Sequence, residues 1–416
     1  MIVRQTYLEK LKLMRDKKII KVITGVRRSG KSTLLEMYRD FLVSSGVHPS
    51  CCQYINFEAL RWESLKDYHT LYNHILENLS PNEKNYIFLD EIQIVPEFQK
   101  AINSLFLRDD VDIYITGSNA YLLSGELSTL LSGRYIELSI LPLSFKEYWE
   151  LVGGDKKTAF NKYYLNGGFP YAATIDNKEV RLEYFRGIFN TVLLKDIVER
   201  KRISDVKLLE DVIRFLFDNI GNIVSTKKIA DTLNSNGRRT TSGTIDNYIR
   251  ALKDAFILYE ANRYDIKGKE FLKSLEKYYI VDIGLRNLLL GERTRDIGHT
   301  LENIVYLELL RRGYQVSIGK LDLLEVDFIA QKEDKRIYYQ VSASVLDEKT
   351  YEREFAPLKK INDSYPKYVL TLDEFPMGED GIEQKNIIDF FWKKIESSSY
   401  IASYIQKFFA CRRNNA

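Results

Sequence analysis

The residues best suited to chemistry begin in the stretch IIKVITGVRRSGKST, residues 19–33. An apolar run leads into Gly25, four residues follow, and Gly30-Lys31-Ser32 opens the helical pattern TLLEMYRDFL. A phosphate loop requires this strand–loop–helix order, because glycines let backbone N–H groups close around phosphate oxygens at the positive end of a helix. Gly25, Val26, Arg27, Arg28, Ser29, Gly30, Lys31, Ser32 and Thr33 are the expected phosphate-binding set. Within it Lys31 is expected to reach the β- and γ-phosphates and Ser32 to offer its hydroxyl to magnesium. The Arg27 and Arg28 side chains can face nucleotide or solvent, and the sequence does not choose.

A second group closes the apolar run NYIFLDEI, residues 85–92. Asp90 is the acid expected to hold magnesium, directly or through water. Glu91 is placed to polarise an attacking water, so the acidic pair favours hydrolysis over transfer to another substrate. Thr116, Ser118 and Asn119 end the run VDIYITGSN (111–119). They are candidate sensors of the γ-phosphate or the water, with a plain strand–turn cap as the alternative. Arg134, in LLSGRY, is the candidate that neutralises charge developing in phosphoryl transfer, in cis or from a neighbouring subunit. A surface salt bridge is its alternative reading.

These groups need a sheet to position them. The runs at 19–24, 52–57, 85–92, 111–119 and near 135 read as strands, with helix-length segments between the first four. That spacing predicts a parallel sheet with right-handed crossovers, its functional groups collected at the carboxyl ends of the strands. A strand between the phosphate-loop strand and the Asp-Glu strand fits the ATPase branch of such folds. The expected fold class is α/β and multi-domain. A P-loop core occupies 1–143, a helical lid 144–203, a winged helix 204–265 and a mixed α/β domain 266–396, with a helix or tail at 397–416.

In the winged-helix segment, DVKLLEDVIRFLFDNIG, STKKIADTLN and SGTIDNYIRALKDA read as three helices, Ser225 capping the second, and FILYEANRY as the wing strands. Arg238, Arg239, Thr240 and Arg250 would then approach DNA phosphates or bases. Asp246, Asp254 and Glu260 dilute that positive face, so a connector or protein-contact surface stays open.

Composition narrows the classes. The 416 residues can bury more than one core, and 45% apolar with 29% charged residues is not a disordered composition. A net charge of +3 is too small to argue for nucleic acid by itself. Three cysteines, Cys51, Cys52 and Cys411, make no disulfide framework, and His69 and His74 match no zinc spacing. No stretch has signal-peptide or membrane-span character, so a cytoplasmic protein without membrane contact is expected.

Taken together, GVRRSGKST, IFLDEIQ, ITGSN, LSGRY, LPLSFKEY, GGFPY (167–171) and EVDF resemble a group of bacterial and archaeal AAA-type ATPases. That group carries a C-terminal domain related to restriction-endonuclease-like folds. The resemblance implies ATP with Mg2+ and carries Lys31 and Ser32 onto the loop roles, Asp90 and Glu91 onto the acidic pair and Arg134 onto the sensing arginine. It also suggests that Asn56, at the end of the second strand, restrains the catalytic glutamate. In the C-terminal domain it places Glu302 as the helix acid and Asp327 as the acid of the hairpin EVDFIAQ–RIYYQVSAS. Gln340 and Ser342 then fall where a metal-dependent nuclease has a second acid and a lysine. A neutral amide is a weak magnesium ligand, and loss of the lysine removes a fixed positive charge from the transition state. Another lysine, such as Lys359, would have to stand in.

Three readings follow: an ATP-hydrolysing switch acting on DNA or a protein partner, a binding module with ATP as structural ligand, and an ATP-regulated nuclease. Glu91 favours the first, Gln340 and Ser342 weigh against the third, and an arginine acting in trans would make the protein an oligomer.

Overall fold

The computed structural model describes residues 2–117, 131, 133–199, 201–272, 275–292, 296–375 and 377–392, without the side chains of 194–196. Ser118, Asn119, Cys411 and the segment expected at 397–416 lie outside the described residues. The chain divides into two compact units. One runs to Pro142 and includes Asp254–Phe256; the other comprises Leu143–Lys253 and Ile257 to Trp392, the last described residue.

The first unit is built on β1 (Ile20–Thr24), β2 (Cys52–Asn56), β3 (Asn85–Asp90), β4 (Val111–Thr116) and β5 (Tyr135–Ser139). They form one parallel sheet in the order β2-β3-β4-β1-β5, so β4 separates the phosphate-loop strand from the Asp-Glu strand, as the sequence predicts. Every residue of β1, β3 and β4 is buried. These strands therefore read as continuous apolar runs rather than alternating ones. The faces are nevertheless distinct. Ile20, Val22, Ile87, Leu89, Ile113 and Ile115 join one core cluster, and Ile23, Phe88 and Tyr114 join the other. The helices α1 (Gln5–Leu13), α2 (Lys31–Ser44), α3 (Tyr68–Glu77) and α4 (Phe98–Phe106) supply much of the remainder of these cores. Two facing positions inside the strands, Lys21 and Asp112, break the apolar pattern. Lys21 of β1 is 1% exposed and forms a buried ion pair with Asp112 of β4.

The second unit opens with α5 (Phe145–Val152), α6 (Lys156–Asn166) and α7 (Lys178–Thr191), the last running into a π-helical turn over Val192–Glu199. Ser144 and Glu147 form a reciprocal capping box that fixes the start of α5. These are the helices expected as a lid, and they belong to the second unit. Their aromatic face explains why. The ring of Phe145 lies 5.7 Å from that of Phe391, and Trp149 lies 5.4 Å from Trp392, both partners coming from the far end of the described chain.

Three further helices, α8 (Val206–Asp218), α9 (Thr226–Ser235) and α10 (Ser242–Asp254), match the anticipated pattern, and the Ser225 side chain accepts the Lys228 N–H at the start of α9. The strands differ from expectation. FILYEANRY does not make a self-paired wing: β7 (Leu258–Ala261) pairs with β10 (Glu276–Ile280) and β8 (Arg263–Asp265) with β11 (Gln315–Leu321). The chain changes sheets at Asn262, whose carbonyl accepts the Ile318 N–H at 2.9 Å. With β6 (Ile223–Val224), β10 and β7 form a three-stranded sheet in the order β6-β10-β7.

The remaining elements are β9 (Glu270–Phe271), α11 (Ile283–Leu290), α12 (Ile297–Arg311), β12 (Leu324–Lys332), β13 (Lys335–Val341), α13 (Glu348–Lys359), β14 (Lys367–Thr371), β15 (Gly378–Glu379), β16 (Ile382–Asn386) and α14 (Ile387–Trp392). Their strands form a mixed eight-stranded sheet, β15-β16-β14-β13-β12-β11-β8-β9, with the expected hairpin at its centre. Among the described residues no helix is long and apolar enough to cross a membrane.

Candidate functional site

The carboxyl ends of β1, β3 and β4 bring the sequence-predicted groups together. After Thr24 the chain turns through Gly25 at φ +140°, and Arg28 and Gly30 also have left-handed φ, at 67° and 97°. A Cβ on Gly25 would lie 2.2 Å from the Ile140 carbonyl oxygen, so only glycine lets the loop lie this close to the strand exit. Val26 and Ser29 are buried, Arg28 is exposed, and Arg27 faces Glu58 at 3.4 Å. Lys31, Ser32 and Thr33 form the first turn of α2. The Lys31 ammonium is 4% exposed, donates to the Gly25 and Val26 carbonyls at 3.1 and 3.2 Å, and lies 3.9 Å from Glu91 Oε1.

Asp90 is fully buried and braced on both oxygens. Thr116 donates to its Oδ1 at 2.5 Å, while Asn56 and Tyr54 donate to its Oδ2 at 2.9 and 3.1 Å. The Thr116 hydroxyl also accepts the Glu91 N–H at 2.9 Å, which ties β4 to the acidic pair. Glu91 has a left-handed backbone, φ 56°, and Gln93 donates to its Oε2 at 2.5 Å. At the end of β1, Thr24 donates to Glu137 at 2.5 Å. Burial pushes the Glu137 carboxyl up and the Thr24 hydroxyl opposes that shift.

Two expectations change. Asn56 reaches Asp90 and not Glu91, because the parallel register sets Asn56 beside Asp90. A side chain that does reach the glutamate is Gln93, inside the quoted IFLDEIQ segment. Arg134 does not stand on the lip of its own phosphate loop. Its carbonyl accepts the Ile20 N–H at 2.9 Å, which puts it at the amino end of β1. The loop leaves the other end, roughly 16 Å away at about 3.3 Å per strand residue. Its guanidinium lies 5.5 Å from the centre of the Phe106 ring, at the end of α4.

The donor set fits a magnesium–nucleotide ligand. A loop closed by glycines, one buried ammonium, a serine hydroxyl in the first helical turn and two buried carboxylates are the groups that a polyphosphate with a divalent cation needs.

In the second unit the residues expected on DNA are partly engaged. Arg238 pairs with Asp211 and Arg250 with Asp246, both at 2.9 Å, and the Thr240 N–H donates to Asn234 at 2.8 Å. Arg239 is exposed.

The nuclease-like positions form a different polar centre from the one expected. Glu302 is 5% exposed and receives Lys277 at 3.1 Å and the Tyr279 hydroxyl at 2.5 Å, with His299 3.7 Å away. Lys277 also pairs with Glu325 at 2.7 Å. Burial by itself would raise the Glu302 carboxyl, but Lys277, His299 and Tyr279 together hold it below its ordinary value. Asp327 goes the other way: burial, with Glu302 and Glu354 nearby, pushes it well above the carboxylate range against the pull of Lys277. The Gln340 carbonyl accepts the Asp327 N–H at 2.7 Å, and its amide donates to Glu354 at 2.9 Å. Ser342 turns to the Ser344 carbonyl. Lys359 is held by Glu379 at 2.5 Å, so the lysine that enters this centre is Lys277, from β10. Among the described residues no three His, Cys, Asp or Glu side chains are placed to hold a metal.

Sequence reasoning missed Gln93, Tyr54, Lys277 and Glu354. Only Gln93 carried a signal, its place two residues after Glu91.

An AAA domain family matches residues 17–149, and a domain family of unknown function matches residues 157–296. An uncharacterized protein of Haemophilus influenzae is 43% identical over 94% of this chain and 98% of its own length. An uncharacterized protein of Methanocaldococcus jannaschii is 31% identical over 91% of this chain and 86% of its own. A Walker-type ATPase of Pyrococcus abyssi aligns over 70% of this chain and 96% of its own, with 18% identity and a TM-score of 0.49.

Proposed function

This chain belongs to one family with the Haemophilus and Methanocaldococcus proteins and carries an AAA domain of the P-loop ATPase class, and from that premise we propose that it binds ATP with Mg2+ and hydrolyses it. The observation that carries the reading is the buried meeting of Lys31 and Glu91, 3.9 Å apart, beside an Asp90 braced by Thr116, Asn56 and Tyr54. In this reading the Lys31 ammonium leaves the Gly25 and Val26 carbonyls for the β- and γ-phosphates, exchanging two neutral acceptors for charged ones. Magnesium held by Ser32 and Asp90 would neutralise charge on the phosphates. Glu91 accepts a proton from the water attacking the γ-phosphorus, and Gln93 holds its carboxylate until the substrate arrives. The products are ADP and phosphate. Arg134, at the amino end of the sheet, acts on a neighbouring copy and not on its own loop.

The nucleotide state is read out by the second unit, where α8–α10 and the β6-β10-β7 sheet form a winged-helix-like module and the eight-stranded sheet resembles a restriction-endonuclease frame without its metal chemistry. Pairing of Arg238 and Arg250 with the module's own acids lowers its positive field, which favours a protein over DNA as the partner.

Phosphate release tests the reading. Lys31→Ala abolishes ATP binding, whereas Glu91→Gln keeps ATP bound and lowers turnover by about a hundredfold or more. Wild-type turnover in Glu91→Gln would falsify the base assignment. Affinity for duplex DNA measured against salt separates the partners: a steep fall with salt restores the DNA reading.

A further inference from the structure

The phosphate loop is anchored from behind. Arg4, just before α1, is 3% exposed, and its guanidinium spans two backbone carbonyls: Nη1 donates to Ser29 O at 3.0 Å and Nη2 to Leu141 O at 2.9 Å. The same guanidinium lies 4.8 Å from the centre of the Tyr7 ring, whose hydroxyl accepts the Leu141 N–H at 3.2 Å. At the other end of the loop, Gly25 is pressed against Ile140, and the Ile140 N–H donates to Thr24 O at 2.8 Å. The two ends of the loop are therefore fixed to neighbouring residues, the front end to Ile140 and the back end, through Arg4, to Leu141. The front end is held by close backbone contact and the back end by a buried arginine.

The consequence follows from peptide geometry. A trans peptide is planar, with its C=O and N–H pointing in opposite directions. Holding the Ser29 carbonyl toward Arg4 thus directs the Gly30 N–H of the same peptide away from Arg4. Gly30 has φ +97°, and glycine crosses between backbone basins at little cost, so without Arg4 this peptide is free to flip. We propose that Arg4 is a positioning residue for the anion cradle: it keeps the Ser29–Gly30 peptide turned so that the Gly30 N–H faces bound phosphate. The proposal rests on the nucleotide reading of the loop, although Arg4 itself touches no substrate.

ATP affinity, thermal stability and hydrogen–deuterium exchange over residues 25–33 in the nucleotide-free protein test it, in wild type, Arg4→Met, Arg4→Lys and Tyr7→Phe. Arg4→Met weakens ATP binding about ten- to a hundredfold, the scale of one hydrogen bond to a charged group, and raises exchange across 25–33. Arg4→Lys keeps a charge that can reach Ser29 and recovers part of the affinity. Tyr7→Phe strips the Leu141 N–H of its partner, so it lowers stability but leaves ATP affinity within about twofold of wild type. Unchanged affinity and exchange in Arg4→Met overturn the proposal. So does an equal loss of affinity in Tyr7→Phe, which would make the effect general destabilisation. If Arg4→Met does not fold, the contrast of Arg4→Lys with Tyr7→Phe decides in the same way. Wild type that binds no ATP defeats the nucleotide reading and this proposal with it, and raised exchange in Arg4→Met then shows only that Arg4 anchors the loop.

Discussion

Lys277 is a buried cation set among the carboxylates of the second unit. Three carboxyl groups, Glu302, Glu325 and Asp327, gather within its electrostatic reach. An ammonium fixed among them offsets part of their negative charge from within the chain. Lys277→Met strands those acids and lowers stability by about 3 kcal/mol or more in chemical denaturation. The double variant Lys277→Met with Glu302→Gln recovers a substantial part of the loss, because removing both partners of a buried pair costs less than removing one. Additive losses would show that Lys277 and Glu302 are not coupled. At the phosphate loop the residue scale was largely legible beforehand: Lys31, Ser32, Asp90 and Glu91 stand in short local patterns whose spacing carries their geometry. Thr116 came with those patterns and Gln93 lay unread two residues beyond one of them, but Arg4, Tyr54 and Lys277 meet their partners only through distant parts of the chain.

Among the elements, the joint between α6 and α11 explains the GGFPY segment. A Cβ on Gly167 would lie 2.0 Å from Asp282 Oδ1, and one on Gly168 would lie 2.5 Å from the Leu143 carbonyl oxygen. Asp282 accepts the N–H groups of Gly168 at 2.5 Å and Gly284 at 2.8 Å, so one carboxyl both caps α11 and holds the end of α6. Burial pushes this carboxyl up to about 7, against the backbone N–H donors and Arg311. A folded-state value above that of the unfolded chain means that the folded protein holds the proton longer. The associated stability is present at acid pH and is lost as pH rises toward and through 7. Thermal denaturation from pH 5 to 8 should therefore show wild type losing stability relative to Asp282→Asn, which keeps one of the two acceptor oxygens and does not titrate. A constant difference between the two would remove Asp282 from the pH response. Helices and their caps were readable in the sequence because Ser225 and the apolar spacing act locally. The partners of β7 and β8 were not, since a four-residue strand carries no record of which sheet edge it will meet.

For the molecule as a whole, Arg134 is the residue whose meaning depends on assembly. It sits at the amino end of a sheet whose phosphate loop is at the carboxyl end, so its catalytic use requires a second copy. Arg134→Ala is expected to lower phosphate release about a thousandfold, the scale of an arginine supplied to a phosphoryl-transfer site. Mixing Arg134→Ala chains with Lys31→Ala chains should restore activity, because one supplies an intact loop and the other an intact arginine. No recovery on mixing, at concentrations where the particle mass exceeds one chain, would confine Arg134 to a structural part. The amino-acid sequence by itself determined the parallel sheet, the order of its chemical groups and the presence of an acid-bearing hairpin, since each depends on apolar periodicity and on spacings of a few residues. The tertiary structure decided which groups meet. It gave Asn56 to Asp90, set Arg134 at the far end of its own sheet, tied Arg4 to the phosphate loop and brought Lys277 into the hairpin's acidic centre. Those pairings join residues as far apart as Ile20 and Arg134, and long-range contacts of that kind are fixed by packing, which leaves no local pattern along the chain.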